Sequence, residues 1–502
     1  MASPYLIGID IGTSGAKVVV VDRAGSLLSA TGQEYPIHTP RPGWAEEDPR
    51  DWLQAVFAGL RVAMQAARQA GISPGEVAGI GLTGQMHSLV CLDGEGTPVR
   101  PAILWADQRS AEQVRALTRR IGRERLAEWA GNPLAAGFML ASWAWLVENE
   151  PETVRATRWL MLPKDYLRYC LTGAVGSEPS DASSTLCFDP RRQAWSAPLL
   201  EQVGLPADRL PPVFPSAARA GGLRPEIAAA CGLAAGTPVI FGGSDVSCQA
   251  LAQGITTPGT VSCTIGTGGQ LFAPLDAPRG DPELRLHLFC HCLPQTWHQE
   301  AAILSAGLAL RWLRDQVFTG ADYTRLADAA AGAEAAQDGL FFLPFLAGER
   351  TPYMDPALRA GFLGLALRHG QAAMTRAVME GVVFALRQGL DLMQSLGTPV
   401  GRLVASGGAT RHPLWLQLQA DIFGSPISVS DAPEATARGA ALLAGIGAGV
   451  YRDAPDAIAQ AIAAPRTGAL PDPDRSGRYQ AAYQDYLAWA QRVTARGRDE
   501  GE

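Results

Sequence analysis

The chain has 502 residues, 47% of them hydrophobic and 18% charged, with a formal net charge of −7. That balance excludes a disordered polyelectrolyte and supplies apolar material for more than one core. An acidic surface without any block of Lys or Arg excludes nucleic acid or an anionic membrane as the main partner. Glycine takes 55 positions, above the usual share of about 7%, and recurs at the ends of apolar runs, where ligand-binding turns form.

In chain order, the start predicts three strands, Tyr5–Ile11, Ala16–Asp22 and Ser26–Glu34, the first two joined by the turn Gly12-Thr13-Ser14-Gly15. A proline-rich loop over Pro36–Pro49 leads to a helix over Asp51–Ala70, where Trp52, Ala55, Val56, Leu60 and Met64 recur at helical spacing. Strands are expected at Val77–Leu82 and Ser88–Asp93, flanking the loop Thr83-Gly84-Gln85-Met86-His87. Helices are expected over Ser110–Ala130, Phe138–Glu148 and Lys164–Leu171. A buried strand over Thr237–Gly242 runs into Gly243-Ser244-Asp245.

The opening pattern then returns as strand Gly259–Ile265, turn Gly266-Thr267-Gly268-Gly269 and a new strand from Gln270. This echo of Leu6–Val19 implies duplication: two α/β domains, each beginning with a hairpin that turns on Gly and Thr. The expected division is 1–250, 251–450 and a helical tail over 451–502. Later elements are strand Arg402–Ser406 ending in Gly407-Gly408, helix His412–Phe423, strand Ile427–Ser430, and helix Ala435–Gly447, whose small residues suit close packing on a sheet. No leader peptide or membrane span is expected, because Asp10 interrupts the first apolar run and no run reaches about 18 residues; a cytoplasmic location follows as the expectation. The eight cysteines read as reduced, mostly buried thiols.

Several motifs carry chemistry. Backbone N–H groups of a glycine turn face a phosphate unobstructed, and Thr13 or Ser14 adds donors. Asp10 at the strand end suits Mg²⁺ held mostly through water. Two similar turns can grip one phosphate chain from both sides; the competing reading is a plain hairpin. The Walker-type loop and the protein-kinase motifs are absent. Gly79-Ile80-Gly81-Leu82-Thr83-Gly84 matches a dinucleotide pattern, but its glycines fall within a strand and no helix follows. His87 is either a sugar-hydroxyl ligand or structural, and Asp107 either binds vicinal hydroxyls or caps the helix after it. Asp245 is either an ordinary turn residue or a general base. His287, Cys290, His291, Cys292 and His298 read as a strand and turn rather than a zinc site, because neighbours along a strand point to opposite faces.

Together the strings GIDIGTSGAK, TGQMH, RPAILWADQR, LPKDYLR, Ser180-Asp181, GGSD, TIGTGG, FLPFLAGERTP, ASGGATR and ATARGAALLAG resemble the FGGY family of carbohydrate kinases, and within it the xylulokinases, over Tyr5 to Val450. The resemblance implies two duplicated ribonuclease H-like domains of the actin/hexokinase type with a cleft between them. It implies ATP-dependent phosphorylation of a sugar hydroxyl, most readily D-xylulose, with Mg²⁺. On the matching positions it implies Asp245 as catalytic base and Asp10 at the Mg-ATP phosphates. ATP would lie on Gly12, Thr13, Ser14, Lys17, Gly266, Thr267, Gly268, Gly307, Gly407, Gly408 and Ala409, and the sugar on Gln85, Met86, His87, Asp107 and Asp245. Two positions depart from the xylulokinase pattern: Val246 and Ala106 each stand where an Asn is frequent. Both remove a polar group, so another pentulose or a polyol such as ribulose, erythritol or glycerol remains an alternative, as does a non-catalytic sugar- or nucleotide-binding relative. The sequence leaves the oligomeric state open, with a homodimer compatible.

Overall fold

A computed structural model describes residues 4–499. Two twisted mixed sheets dominate it, one of six strands and one of seven. In the first, strands Tyr5–Ile11 and Gly15–Val21 form an antiparallel hairpin, and Leu27–Glu34 pairs antiparallel on its outer side. Val77–Gly84 pairs parallel with the first strand, Pro238–Ile240 parallel with that, and Arg219–Gly222 closes the edge antiparallel.

The second sheet repeats this scheme. Strands Gly259–Ile265 and Gly269–Leu275 form the hairpin, Trp297–Ile303 pairs antiparallel outside it, and Val400–Ser406 and Ile427–Val429 add parallel strands. Arg466–Ala469 closes that edge antiparallel, and His287–Cys290 extends the other. The tail expected to be helical therefore supplies a sheet strand. It also supplies the helix Pro473–Asp499, which buries Tyr479, Tyr483 and Tyr486 in the second core.

Other elements differ from expectation for local reasons. The helical stretch over Ser110–Ala130 is two helices, Ala111–Ile121 and Arg123–Trp129, parted by Gly122 at φ 84°. The strand expected at Ser88–Asp93 shrinks to Val90–Leu92 and pairs with Trp159–Met161, outside the main sheet. His87, at φ 71°, turns the chain away before it can pair. The six residues Gly79–Gly84 all lie in one strand, so the helix that a dinucleotide loop needs is absent there.

Helix Pro49–Gln69 begins where Asp48 accepts the Arg50 N–H and Pro49 opens the first turn, and it buries Trp52, Val56, Leu60 and Met64 on the first sheet. The opposite face of that sheet is covered by helix Ala435–Gly447, from the far end of the sequence. The approach is backbone to backbone: a Cβ on Gly81 would collide with the Ala440 carbonyl oxygen, and one on Gly8 with that of Ala437. Gly81→Ala is expected to cost about 1–3 kcal/mol or more through overpacking. A urea midpoint equal to that of the parent chain would refute this account of the interface.

Candidate functional site

The chain's chemistry collects where strands end. Asp10 and the turn Gly12–Gly15, the loop Gln85–His87, and Phe241–Asp245 all follow the C-terminal ends of parallel strands in the first sheet. The turn after Ile265 and the residues after Ser406 do the same in the second. Crevices at such strand ends are the usual ligand positions of α/β sheets.

The first turn closes with Gly12 N–H donating to the Gly15 carbonyl at 3.1 Å. The Trp105 indole donates to Thr13 Oγ1 at 3.0 Å, which leaves the threonine O–H free to donate outward, and Ser14 is exposed at the tip. Lys17 faces outward and pairs with Glu434 at 2.8 Å. The second turn is tighter, with Gly266 N–H donating to Gly268. The Thr267 carbonyl accepts from Ala306 and Leu308, so helix Gly307–Trp312 starts against it. A Cβ on Gly307 would strike the Gly266 carbonyl oxygen. Thr264 and Ser406 are register partners on parallel strands and share a 2.7 Å hydroxyl contact. Gly407, at φ 84°, and Gly408, open to solvent, thus lie beside the second turn. Ala409 differs, because its methyl is buried in the second core and leaves only backbone toward the cleft.

Asp245 opens helix Asp245–Ala252, its Oδ1 accepting from Val246 N–H at 2.8 Å. Its other oxygen has no protein partner among the described residues. Burial, the nearby Asp10 charge and Glu300 push its carboxyl up to about 8. Asp10 has no hydrogen-bond partner among the described residues either. Burial pushes it up to about 6, with Lys17 opposing and Glu434 assisting. The Asp10 charge acts on Asp245, and Lys17, the cation that acts on Asp10, is paired with Glu434. That donor set fits a divalent cation carried with phosphates.

His87 stacks on Phe138 with ring centroids 3.6 Å apart, and its Nδ1 lies 2.8 Å from the Ser184 carbonyl. A carbonyl only accepts, so Nδ1 carries the proton and Nε2 offers a lone pair. Burial pushes the imidazole down to about 3, so it is neutral. Met86 is buried beside it. The remaining two sugar-side candidates, Gln85 and Asp107, have partners within the protein. Gln85 is buried and donates to Glu47 at 2.9 Å. Asp107 is fully buried, Oδ1 accepting from Arg109 N–H and Nε, and Oδ2 from Ala45 N–H and Arg109. Both thus join segments distant in the chain, Gln85 to Glu47 and Asp107 to Ala45.

Arg350 went unnoticed in the sequence. The Glu349 carboxylate accepts from Leu304 and Arg350 N–H, and Thr351 hydrogen-bonds Ala302, so the strap GERT lies along strand Trp297–Ile303. The Arg350 guanidinium, partly withdrawn from water, makes no ion pair or hydrogen bond among the described residues, and its charge opposes protonation of His87 and His287. Val246, on the next helical residue after Asp245, packs instead with Ala250, Ile255, Phe272 and Val404. His298 stacks on Phe272 and His291 meets the same ring edge-on, and no group of three or more metal-ligating side chains occurs among the described residues. Nor is any described helix long and apolar enough to cross a membrane.

Residues 5–252 match the family model for the FGGY family of carbohydrate kinases, N-terminal domain, and residues 261–448 match its C-terminal domain. The xylulose kinase of Staphylococcus epidermidis is 35% identical over 452 residues, 90% of each chain. A crystal structure of a xyloylose kinase from Brucella ovis superposes with a TM-score of 0.91 at 36% identity, covering 98% of this chain and 99% of the other. The gluconokinase of Bacillus subtilis is 30% identical over 471 residues, covering 91% of this chain and 90% of its own.

The raised Asp245 carboxyl has a thermodynamic signature. Folded, it keeps a proton that the unfolded chain releases near pH 4, so stability falls as pH rises from about 4 to about 8. Asp245→Asn removes that dependence. Its melting temperature is expected to exceed the parent's at pH 8, by a margin that shrinks toward pH 4. An equal margin at both pH values would remove Asp245 as the source.

Proposed function

The chain belongs to the FGGY family of carbohydrate kinases, and we propose that it transfers the γ-phosphoryl group of Mg-ATP to D-xylulose, giving D-xylulose 5-phosphate, with Asp245 as general base. The observation that carries this reading is a pair of buried, pKa-raised carboxyls beside two glycine turns: Asp10, without a hydrogen-bond partner among the described residues, and Asp245, with one oxygen left free there. The whole-length similarity to a xylulose kinase supports the choice of sugar.

ATP lies on the second half, its adenosine against Gly407 and Gly408 and its phosphates between the turns at Gly12–Gly15 and Gly266–Gly268. Backbone N–H groups and the Thr13 hydroxyl donate to phosphate oxygens there. Mg²⁺, when bound beside Asp10, neutralises phosphate charge. The sugar lies on the first half, with His87 Nε2 accepting from one hydroxyl. The attacking hydroxyl gives its proton to the free Asp245 oxygen as its own oxygen bonds to phosphorus. The bond from phosphorus to the β–γ bridging oxygen breaks, and ADP leaves.

Release of ADP, coupled to a spectroscopic readout, tests this across D-xylulose, D-ribulose, erythritol, glycerol and D-gluconate. D-Xylulose is expected to give the highest kcat/KM; a better polyol or gluconate would reject the sugar while leaving the kinase. Asp245→Ala is expected to lose about 10²–10⁴ in kcat with the fold intact. Near-normal turnover in that variant would reject the base.

A further inference from the structure

Two matched strings, LPKDYLR and Ser180-Asp181, take no part in binding or chemistry as described so far. The fold brings them together directly behind Asp245. Lys164, Asp165, Arg168, Glu178, Ser180 and Asp181 are all at 0% exposure. Lys164 Nζ lies 3.0 Å from Asp165, 3.2 Å from Asp181 and 3.5 Å from Glu178. Arg168 pairs with the same Asp165 oxygen at 2.6 Å. Burial works against the ammonium of Lys164, yet Asp165, Asp181 and Glu178 hold it above the ordinary lysine range. Burial, above all, pushes the Asp181 carboxyl well up, with the Lys164 ammonium opposing.

This charged block touches the segment before Asp245 at both ends. Lys164 Nζ donates to the Phe241 carbonyl at 3.1 Å. The four N–H groups from Phe241 to Ser244 are all satisfied. Phe241 donates to the Ala218 carbonyl at 3.0 Å, Gly242 to Ser216 at 2.9 Å, and Gly243 to Leu82 at 3.0 Å. The fourth, on Ser244, is held by a side chain alone: it donates to Ser180 Oγ at 2.9 Å. Ser180 is oriented in turn, its O–H shared between the two oxygens of Glu178, each at 2.8 Å. Glu178 also receives Ser180 N–H, Asp181 N–H and the Ser216 hydroxyl.

We propose that Ser180, oriented by Glu178, is a positioning residue for the general base: its oxygen fixes the peptide that precedes Asp245 and so aims the Asp245 carboxylate. The inference rests on the proposed role of Asp245. Removing Ser180 Oγ frees one buried N–H next to the base, and the Gly-Gly-Ser segment, small and unbranched, turns to satisfy it elsewhere. A misplacement of about 1 Å at a reacting group is enough for a loss on the order of 10²-fold.

The test is steady-state kinetics of the full chain with its best sugar, at a temperature where every variant is folded by circular dichroism. Ser180→Ala is expected to lower kcat by about 10- to 100-fold, with KM for sugar and ATP held within about twofold. Ser180→Cys, similar in size but with a weak sulfur acceptor, is expected to fall between Ala and the parent. Ser216→Ala removes another hydroxyl from the same Glu178 but keeps the Ser244 bond, and is expected to retain kcat within about twofold. Unchanged kcat in folded Ser180→Ala or Ser180→Cys, a loss confined to KM, or an equal loss in Ser216→Ala would overturn the proposal. Asp245→Ala measured alongside separates the two failures. If it is inactive while Ser180→Ala is normal, only the positioning role falls; if it is active, the role of Asp245 falls first.

Discussion

The approach of helix Ala435–Gly447 to the first sheet is the constraint on which the cleft depends. Gly8 and Gly81 present bare backbone to the carbonyls of Ala437 and Ala440, and Gly439 presents it to the Cys248 carbonyl on helix Asp245–Ala252. One late helix thus sets the depth of the strand that carries Asp10 and of the helix that carries Asp245. It also carries Glu434 at its start, in the left-handed region at φ 50°, where the carboxylate meets Lys17. A side chain at any of these glycines would separate the carboxyls before it touched the chemistry. Part of the glycine surplus therefore shapes the interface rather than the turns.

That geometry has an electrostatic cost. Asp10 and Asp245 are held near each other in partly dry surroundings, and each resists ionising. The arrangement is unfavourable to the free protein and useful to a kinase, because a phosphate-bound cation relieves it and the base is strengthened by the same repulsion. The block around Lys164 treats buried charge differently: opposite charges stand side by side, and Glu178 is multiply hydrogen-bonded. Through Ser180 and Lys164 this block holds the loop that leads to the strained pair.

Much of the fold was legible because its signals are local. Alternating strands, the Gly–Thr turns and the helix over 435–447 follow from periodicity within a dozen residues, and the duplication follows from comparing two such windows. The repeat runs deeper than the hairpins showed, reaching a third mutually parallel strand and an antiparallel edge in each sheet. What the sequence hid was set by distant partners. Asp107 reads as a free carboxylate until Ala45, 62 residues away, donates to it. Gln85 reads as a sugar ligand until Glu47 takes its amide. The burial of Lys164 was not legible in its helix, since two of its three acidic neighbours come from a later segment. Arg350 had a signal, a cation inside an apolar run, but its position comes from Thr351 hydrogen-bonding a strand 49 residues earlier.

The two departures from the xylulokinase pattern bear differently on selectivity. Successive residues of a helix point about 100° apart, so Asp245 facing the cleft directs Val246 elsewhere, and it packs into the apolar seam with Phe272 and Val404 of the second sheet. Valine there makes an apolar contact at the seam. Ala106 is exposed, beside a Trp105 committed to Thr13 and Ser88 and an Asp107 committed to Arg109. With Gln85 and Asp107 both engaged inside the protein, the polar groups that would be open to a sugar under the proposed function include His87 Nε2, Asp245 and the Arg350 guanidinium. Discrimination between sugars grows with the number of site groups left unpaired by the wrong one. Three such groups favour a substrate with oxygens at matching positions, and they tolerate variation at carbons that none of the three reaches.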